Sequence, residues 1–222
     1  MHILLLAATP SETALLRQES GWFATGTGWR QQRGSHHISL YHSGIGMSNT
    51  AYALGKLFAT ASFDLAIQFG IGGSFDRQLP LGEVVEVSED IFVEMGAESP
   101  EGWLSLENME FPLLEANGKT YYQQLHNPQP LSSFQAVRGI TVNTVSGVAE
   151  TIAQRQQRWA PVTESMEGAA FFLACLQNGL PFAQIRAISN YVEPRNRANW
   201  DIPTAVKNAG LAASELIEKL IH

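Results

Sequence analysis

The sequence predicts an α/β protein built around a buried sheet, and three observations predict it. Short aliphatic runs alternate with stretches of helical spacing. Several of those runs end in glycine or a small polar residue, as strands that feed into turns do. The glycines and prolines are spread over the whole length instead of gathering in a linker, and no block repeats another at a fixed period. One domain covering residues 1–222 follows, large enough for a single core.

The elements follow in order. Residues 3–7, ILLLA, form the first strand; the run falls far short of the about 20 apolar residues that cross a bilayer. After Pro10, Ser11 is placed to cap a helix over 11–20. A strand over 37–42 leads to a helix over 47–60 that Ser48 or Asn49 opens. Strands over 65–69 and 83–87 come next. The segment 92–133, richer in Glu, Asn, Gln and Pro, reads as a hairpin excursion or a long surface insertion. A strand over 139–144 and a helix over 147–159 precede a second apolar helix over 166–179, opened by Ser165 and closed by Gly179 with Pro181 beyond it. A strand over 182–188 and a helix over 202–220 end the chain. The last helix carries Leu211, Leu216, Ile217, Leu220 and Ile221 on one face, which is expected to pack on the sheet edge.

Composition narrows the function. A net charge of −7 disfavours a nucleic-acid binder, which needs a basic surface, and points to a small-molecule partner. The single cysteine, Cys175, lies in the apolar run AAFFLACL and has no partner for an internal disulfide, which suits the cytoplasm. No run approaches the length of a membrane span. The histidines are scattered without H-E-x-x-H, no C-x-x-C exists, and no metal or cofactor is expected. The first turn, AATPSE, lacks the G-x-G-x-x-G of a dinucleotide fold; no P-loop and no G-x-S-x-G occur either.

What remains is a set of small and acidic residues near strand ends. Two glycine clusters, HSGIGMSN at 42–49 and FGIGGSF at 69–75, are expected as turns that permit positive φ and close approach of a ligand to backbone N–H groups. Glu12, Met166 with Glu167, and Ser189 with Asn190 all fall beyond a strand or at a helix start, where ligands bind in open α/β sheets. Taken singly, Glu12 reads equally as a solvated acid in a first helical turn; Glu167 does so less readily, because its surroundings are apolar.

In order along the chain, ILLLAATPSE, SGIGMSNTAYALG, FGIGGSFDRQLPLGEVVEVSED, NTVSGVAE, ESMEGAA and RAISN together resemble the nucleoside phosphorylase and nucleosidase superfamily, and within it the futalosine hydrolases of menaquinone biosynthesis. The resemblance implies a three-layer α/β/α fold with a central mixed, twisted sheet, a nucleoside substrate, and assembly as a dimer or larger homo-oligomer. It implies that Glu12 activates the attacking water, that Glu167 holds the ribose hydroxyls with Met166 beside the sugar, and that Gly70, Ile71 and Gly72 lie under base and sugar. Asn190, after Ser189, would meet the purine at N7.

Two departures from the adenine-specific members matter. They carry Asp where this chain has Asn190, and Asn pairs with a 6-oxopurine: its NH₂ donates to O6 and its carbonyl accepts from a protonated N7. The aromatic that often stacks on the base is absent from SGVAE, where Val148 and Glu150 stand, leaving Tyr191 or Phe75 as substitutes. Arg195 and Arg197, past Pro194 and near Trp200, are candidates for the carboxylate of a benzoate arm. Phosphorolysis of inosine-like nucleosides is the competing reading, with Arg77, Arg186 and Arg195 as the available cations, although AATPSE offers no arginine for phosphate. A noncatalytic nucleoside-binding protein is the alternative of another class, and it gives Glu12 no task.

Overall fold

The structure is a computed structural model that describes residues 1–221. The chain enters through β1 (His2–Ala7), passes a short 3₁₀ turn at Leu16–Gln18, and forms β2 (Phe23–Ala24), β3 (Trp29–Arg33) and β4 (His36–His42) before α1 (Met47–Thr60). The long strands β5 (Leu65–Ser74) and β6 (Val84–Phe92) follow. Two hairpins outside the main sheet follow, β7 (Gly96–Ser99) with β8 (Gly102–Ser105) and β9 (Leu114–Ala116) with β10 (Lys119–Tyr121), the second packing on the core through Leu114 and Tyr121. The chain returns through β11 (Gln124–His126), β12 (Gln135–Thr141), α2 (Ala149–Trp159), β13 (Thr163–Ser165), α3 (Gly168–Gln177), β14 (Phe182–Tyr191) and α4 (Ile202–Ile221).

The sheet is mixed, as expected. Parallel pairs join β1 to β4 and β5, β12 to β6 and β13, and β14 to β5; antiparallel pairs join β13 to β5 and β14 to β6. Together these pairings close a ring, β5, β14, β6, β12, β13 and back to β5, while β1, β4, β3 and β2 extend from it as an open wing. Closure removes the edges that β5 and β6 would otherwise present.

Period-two alternation along β1 assigns the layers. Leu4 and Leu6 pack with Leu54 of α1 and Phe171 and Phe172 of α3 on one face. Ile3 and Leu5 pack with Ala205, Ala209, Ala213 and Ile217 of α4 on the other. The small α4 residues let the helix lie close on β5 and β14, so it covers the sheet face, not the edge expected from its apolar stripe. Among the described residues no helix is long and apolar enough to cross a membrane.

Three local expectations change. The segment 11–20 is not an α-helix: Thr9 N–H donates to the Glu12 carboxylate, the Thr13 hydroxyl to the Pro10 carbonyl, and Arg17 Nε to Thr13 Oγ1, so side chains take groups that a helix would use. The cluster FGIGGSF is no turn. It continues β5, because β13 and β14 pair with it on both sides, and strand β6 likewise runs on to Phe92. Helix α1 opens at Gly46 with φ +94° and not at Ser48 or Asn49; α3 opens at Glu167, with Ser165 Oγ accepting from Gly168 N–H. Gly179, with φ +60°, does end α3 as its sequence predicts.

Candidate active site

Strand ends and loops converge on one cleft of roughly 320 Å³. Its walls come from the loop after β1, the end of β5, the β12–α2 loop, the β13–α3 junction, the end of β14 and the first turns of α4. This is where the carboxyl ends of parallel strands leave a crevice in α/β folds. Glu12, Ile71, Gly72, Met166, Glu167, Ser189 and Asn190 all line it.

Glu12 is buried at one side. Its Oε2 accepts from Thr9 N–H at 2.9 Å and from the Thr9 hydroxyl at 3.0 Å, and its Oε1 accepts from Ile71 N–H at 3.3 Å. Burial raises its pKa against the opposing pull of Arg186 and the Thr9 donors, with nearby Glu167 adding to the rise. A carboxylate whose pKa is raised by burial is a stronger base toward water than a solvated one. Glu167 accepts from Gly46 N–H at 3.0 Å and meets Arg186 at 3.4 Å. The N–H of Gly46 is available because this residue caps α1 and its N–H has no partner within the helix.

Arg186 ties this side together and is itself buried. It donates to Gln68 Oε1 at 3.0 Å and to Gln184 Oε1 at 3.0 Å, besides its contacts with Glu167 and the Ile71 carbonyl. Gln184 passes the chain on to Asp90, donating to Oδ2 at 2.8 Å. Three buried carboxylates therefore share one buried guanidinium, and burial pushes Asp90 up to about 6 despite the donors Gln184 and Thr141 and the Arg186 charge. A buried charge is costly, so desolvation raises both Asp90 and Glu12.

Asn190 forms the opposite side. Its Oδ1 accepts from the Ser189 hydroxyl at 2.8 Å and its Nδ2 donates to the Tyr191 carbonyl at 3.0 Å. Those two neighbours fix which amide atom points which way, while one N–H and one lone pair stay free for a ligand. Nearby, buried Glu164 accepts from Ser146 N–H at 2.7 Å and pairs with Arg155 at 3.1 Å, pinning the loop that brings Val145 and Ser146 to the cleft.

Two expected site residues stand elsewhere. Gly70 does not line the cleft; a Cβ there would lie 2.6 Å from Glu12 Oε1 and 3.1 Å from Arg186, so the glycine makes room for those two side chains to approach. Arg195 is exposed and stacks at 5.0 Å on Trp200, which does line the cleft, and its N–H donates to the Gly147 carbonyl at 3.1 Å. Neither stacking candidate faces the cleft. Tyr191 sends its hydroxyl to the Leu79 carbonyl at 3.2 Å under Arg77, and Phe75 packs with Ile91, Val93 and Ile140. The flat apolar walls are instead Ile45, Ile71, Val145, Met166 and Trp200.

The sequence reading missed Gln184, Asp90, Glu164 and the role of Arg186. One signal was present: Gln184 and Arg186, two apart in the apolar strand FAQIRAI, must point to one face and need partners there. Among the described residues no group of three or more His, Cys, Asp or Glu side chains is placed to hold a metal ion.

Known proteins share this arrangement of sequence and fold. The family model of the phosphorylase superfamily matches residues 2–222. The futalosine hydrolase of Thermus thermophilus is 31% identical over 221 residues, which cover 96% of this chain and 94% of that protein. A 5′-methylthioadenosine/S-adenosylhomocysteine nucleosidase of Staphylococcus aureus is 23% identical over 188 residues, 83% of this chain and 81% of that one. Among solved structures, the futalosine hydrolase of Helicobacter pylori superposes with a TM-score of 0.80 at 12% identity, covering 99% of this chain and 98% of that chain, which speaks to the fold.

Proposed function

Because the chain belongs to the phosphorylase superfamily, we propose that its cleft hydrolyses the N-glycosidic bond of futalosine, releasing hypoxanthine and dehypoxanthine futalosine in menaquinone biosynthesis. The observation that carries this reading is the pairing of Glu12 and Glu167 in one cleft with Asn190, in a chain 31% identical to a futalosine hydrolase over 96% of its length.

Bond cleavage develops positive charge on the sugar and negative charge on the departing purine. Glu12, buried and raised in pKa, accepts the proton of the attacking water. Glu167, anchored by Gly46 N–H and Arg186, accepts from the ribose hydroxyls, fixes the sugar against that water and places negative charge near the developing cation. Met166 and Ile71 pack against the sugar. Ser189 holds the Asn190 carbonyl, so that the Asn190 NH₂ donates to O6 of the departing purine and its carbonyl accepts from N7–H once a water molecule has delivered a proton to N7. Arg195, stacked on Trp200 at the mouth, meets the carboxylate of the benzoate arm.

Water is favoured over phosphate as the nucleophile. Arg186 is committed to Gln68, Gln184 and Glu167, and Arg77 is paired with Glu193, so neither is free to clamp an anion beside the Glu12 carboxylate. The lone buried thiol of Cys175 accords with a cytoplasmic enzyme, and exposed Ile45 at the cleft and exposed Tyr52 on α1 give a homo-oligomer apolar surface to cover. The test is a product assay on futalosine, inosine, adenosine and methylthioadenosine, with and without phosphate. Phosphate-independent release of hypoxanthine, greatest from futalosine, is expected. A strict phosphate requirement would make the enzyme a phosphorylase, and binding without turnover would make it a nucleoside-binding protein.

A further inference from the structure

Asp90 is a wholly buried acid that touches neither the cleft nor Glu12, yet two hydrogen-bonded arms lead from it to Glu167. The first arm runs through Gln184. Because Gln184 Nε2 donates to Asp90 Oδ2 at 2.8 Å, its Oε1 is forced to face Arg186 Nε, from which it accepts at 3.0 Å. Arg186 then reaches Glu167 Oε2 at 3.4 Å. The second arm runs through Thr141, whose hydroxyl donates to Asp90 Oδ1 at 2.8 Å and accepts from Ala169 N–H at 2.7 Å, in the first turn of α3 just past Glu167. Asp90 thus reaches the carboxylate of Glu167 from one direction and, from another, the backbone of Ala169 two residues past it.

A glycine marks the crossing. A Cβ on Gly168 would lie 2.0 Å from Asp90 Oδ2 and 2.4 Å from Gln184 Oε1, so the two side chains meet only because residue 168 has none. An amide carries a donor and an acceptor on one rigid plane, so an acceptor at position 90 and the guanidinium donor favour the same orientation of Gln184, whereas a donor at position 90 would oppose it.

We propose that Asp90 is a positioning residue for Glu167: through Gln184 and Arg186, and through Thr141, it sets the Glu167 carboxylate where it meets the ribose hydroxyls. The inference rests on the nucleosidase reading for the identity of Glu167's ligand. Burial holds Asp90 at about 6, so it is mostly ionised, hence an acceptor, above that pH.

The test reads ribose recognition and not turnover. In a Glu12→Gln background, the affinities for inosine and 2′-deoxyinosine are compared by calorimetry at pH 8, with a thermal melt for every variant. The parent background is expected to prefer inosine by about tenfold, the scale of a hydrogen bond to a charged group. Adding Asp90→Asn leaves Gln184 facing a donor, and the preference falls to about twofold or less. Adding Gln184→Glu to Asp90→Asn restores it, because the amide introduced at position 90 donates to a carboxylate that still accepts from Arg186. Gln184→Met alone, which keeps Asp90 and the Thr141 arm but cuts the relay through Arg186, lowers the preference and serves if Asp90→Asn does not fold. A merely structural role would weaken both ligands equally, and an unchanged ratio in Gln184→Met, or no recovery in a folded double variant, would overturn the proposal. Failure of the hydrolase reading shows separately, as no hypoxanthine release by the protein with Glu12 intact.

Discussion

The two ends of the cleft are built differently. At the carboxylate end, Glu12, Glu167 and Arg186 are buried and bonded to one another or to strand residues, with Asp90 and Gln184 behind them. At the mouth, Arg195 and Arg197 are exposed and lie over Trp200 at 5.0 and 5.8 Å, on a loop between β14 and α4. Pre-organised groups in a dry environment act strongly on a transition state, whereas exposed charges are screened. Under the function proposed above, chemistry belongs to the buried end and recognition of the substrate's remote arm to the mouth.

The largest effects are expected at the buried end. Glu12→Gln is expected to lower kcat by about 10²–10⁴-fold while KM for futalosine changes little, as removal of a general base does; steady-state kinetics at pH 7.5 measures it, and unchanged turnover removes Glu12 from the mechanism. Asn190→Asp is expected to shift the ratio of kcat/KM for 6-oxo over 6-amino nucleosides toward the amino substrate by at least about tenfold, since a mismatched base edge leaves buried polar groups unpaired. A ratio equal to the parent's would sink the base-reading assignment.

Smaller effects follow from packing and charge. Gly168→Ala drives a methyl into Asp90 and Gln184 and should cost about 1–3 kcal/mol in denaturant unfolding, as overpacking does; a neutral result would mean the network yields freely. The raised pKa of Glu12 carries a stability signature. An acid whose folded pKa is raised binds its proton more tightly in the folded state, so stability is highest below the unfolded pKa and falls as pH rises through the folded one. Glu12→Gln should therefore have a higher Tm than the parent at pH 8, with the gap closing toward pH 4; the reverse trend would contradict the burial argument. At the exposed mouth, Arg195→Ala should raise KM for futalosine by no more than about threefold and leave inosine unaffected, with the difference vanishing in high salt.

The same two regions differ in how far the sequence reveals them. Strand β1, helix α1 and the strand bearing Asn190 are legible because apolar spacing decides them. Glu12 and Glu167 stand out as acids beside apolar runs. The relay from Asp90 to Arg186 is not legible, because its members come from β6 and β14 and meet only through the closure of the ring. Strand β5 extends past its apolar run because its partners on both sides dictate it, and glycines that look like turn formers serve as gaps for neighbouring side chains. The segment 11–20 loses its helix to hydrogen bonds from Thr13 and to the Glu12 carboxylate, which no local pattern encodes. The loop with Arg195 is exposed, and its stacking on Trp200 is visible only in three dimensions.

The most direct test of water activation by Glu12 is hypoxanthine release from futalosine in phosphate-free buffer, measured side by side for the parent and Glu12→Gln. The parent should turn over steadily at a rate that added phosphate does not increase, and the variant should lose nearly all of that turnover. Release that appears only when phosphate is added, or that survives unchanged in Glu12→Gln, would contradict the hydrolytic role assigned to this cleft.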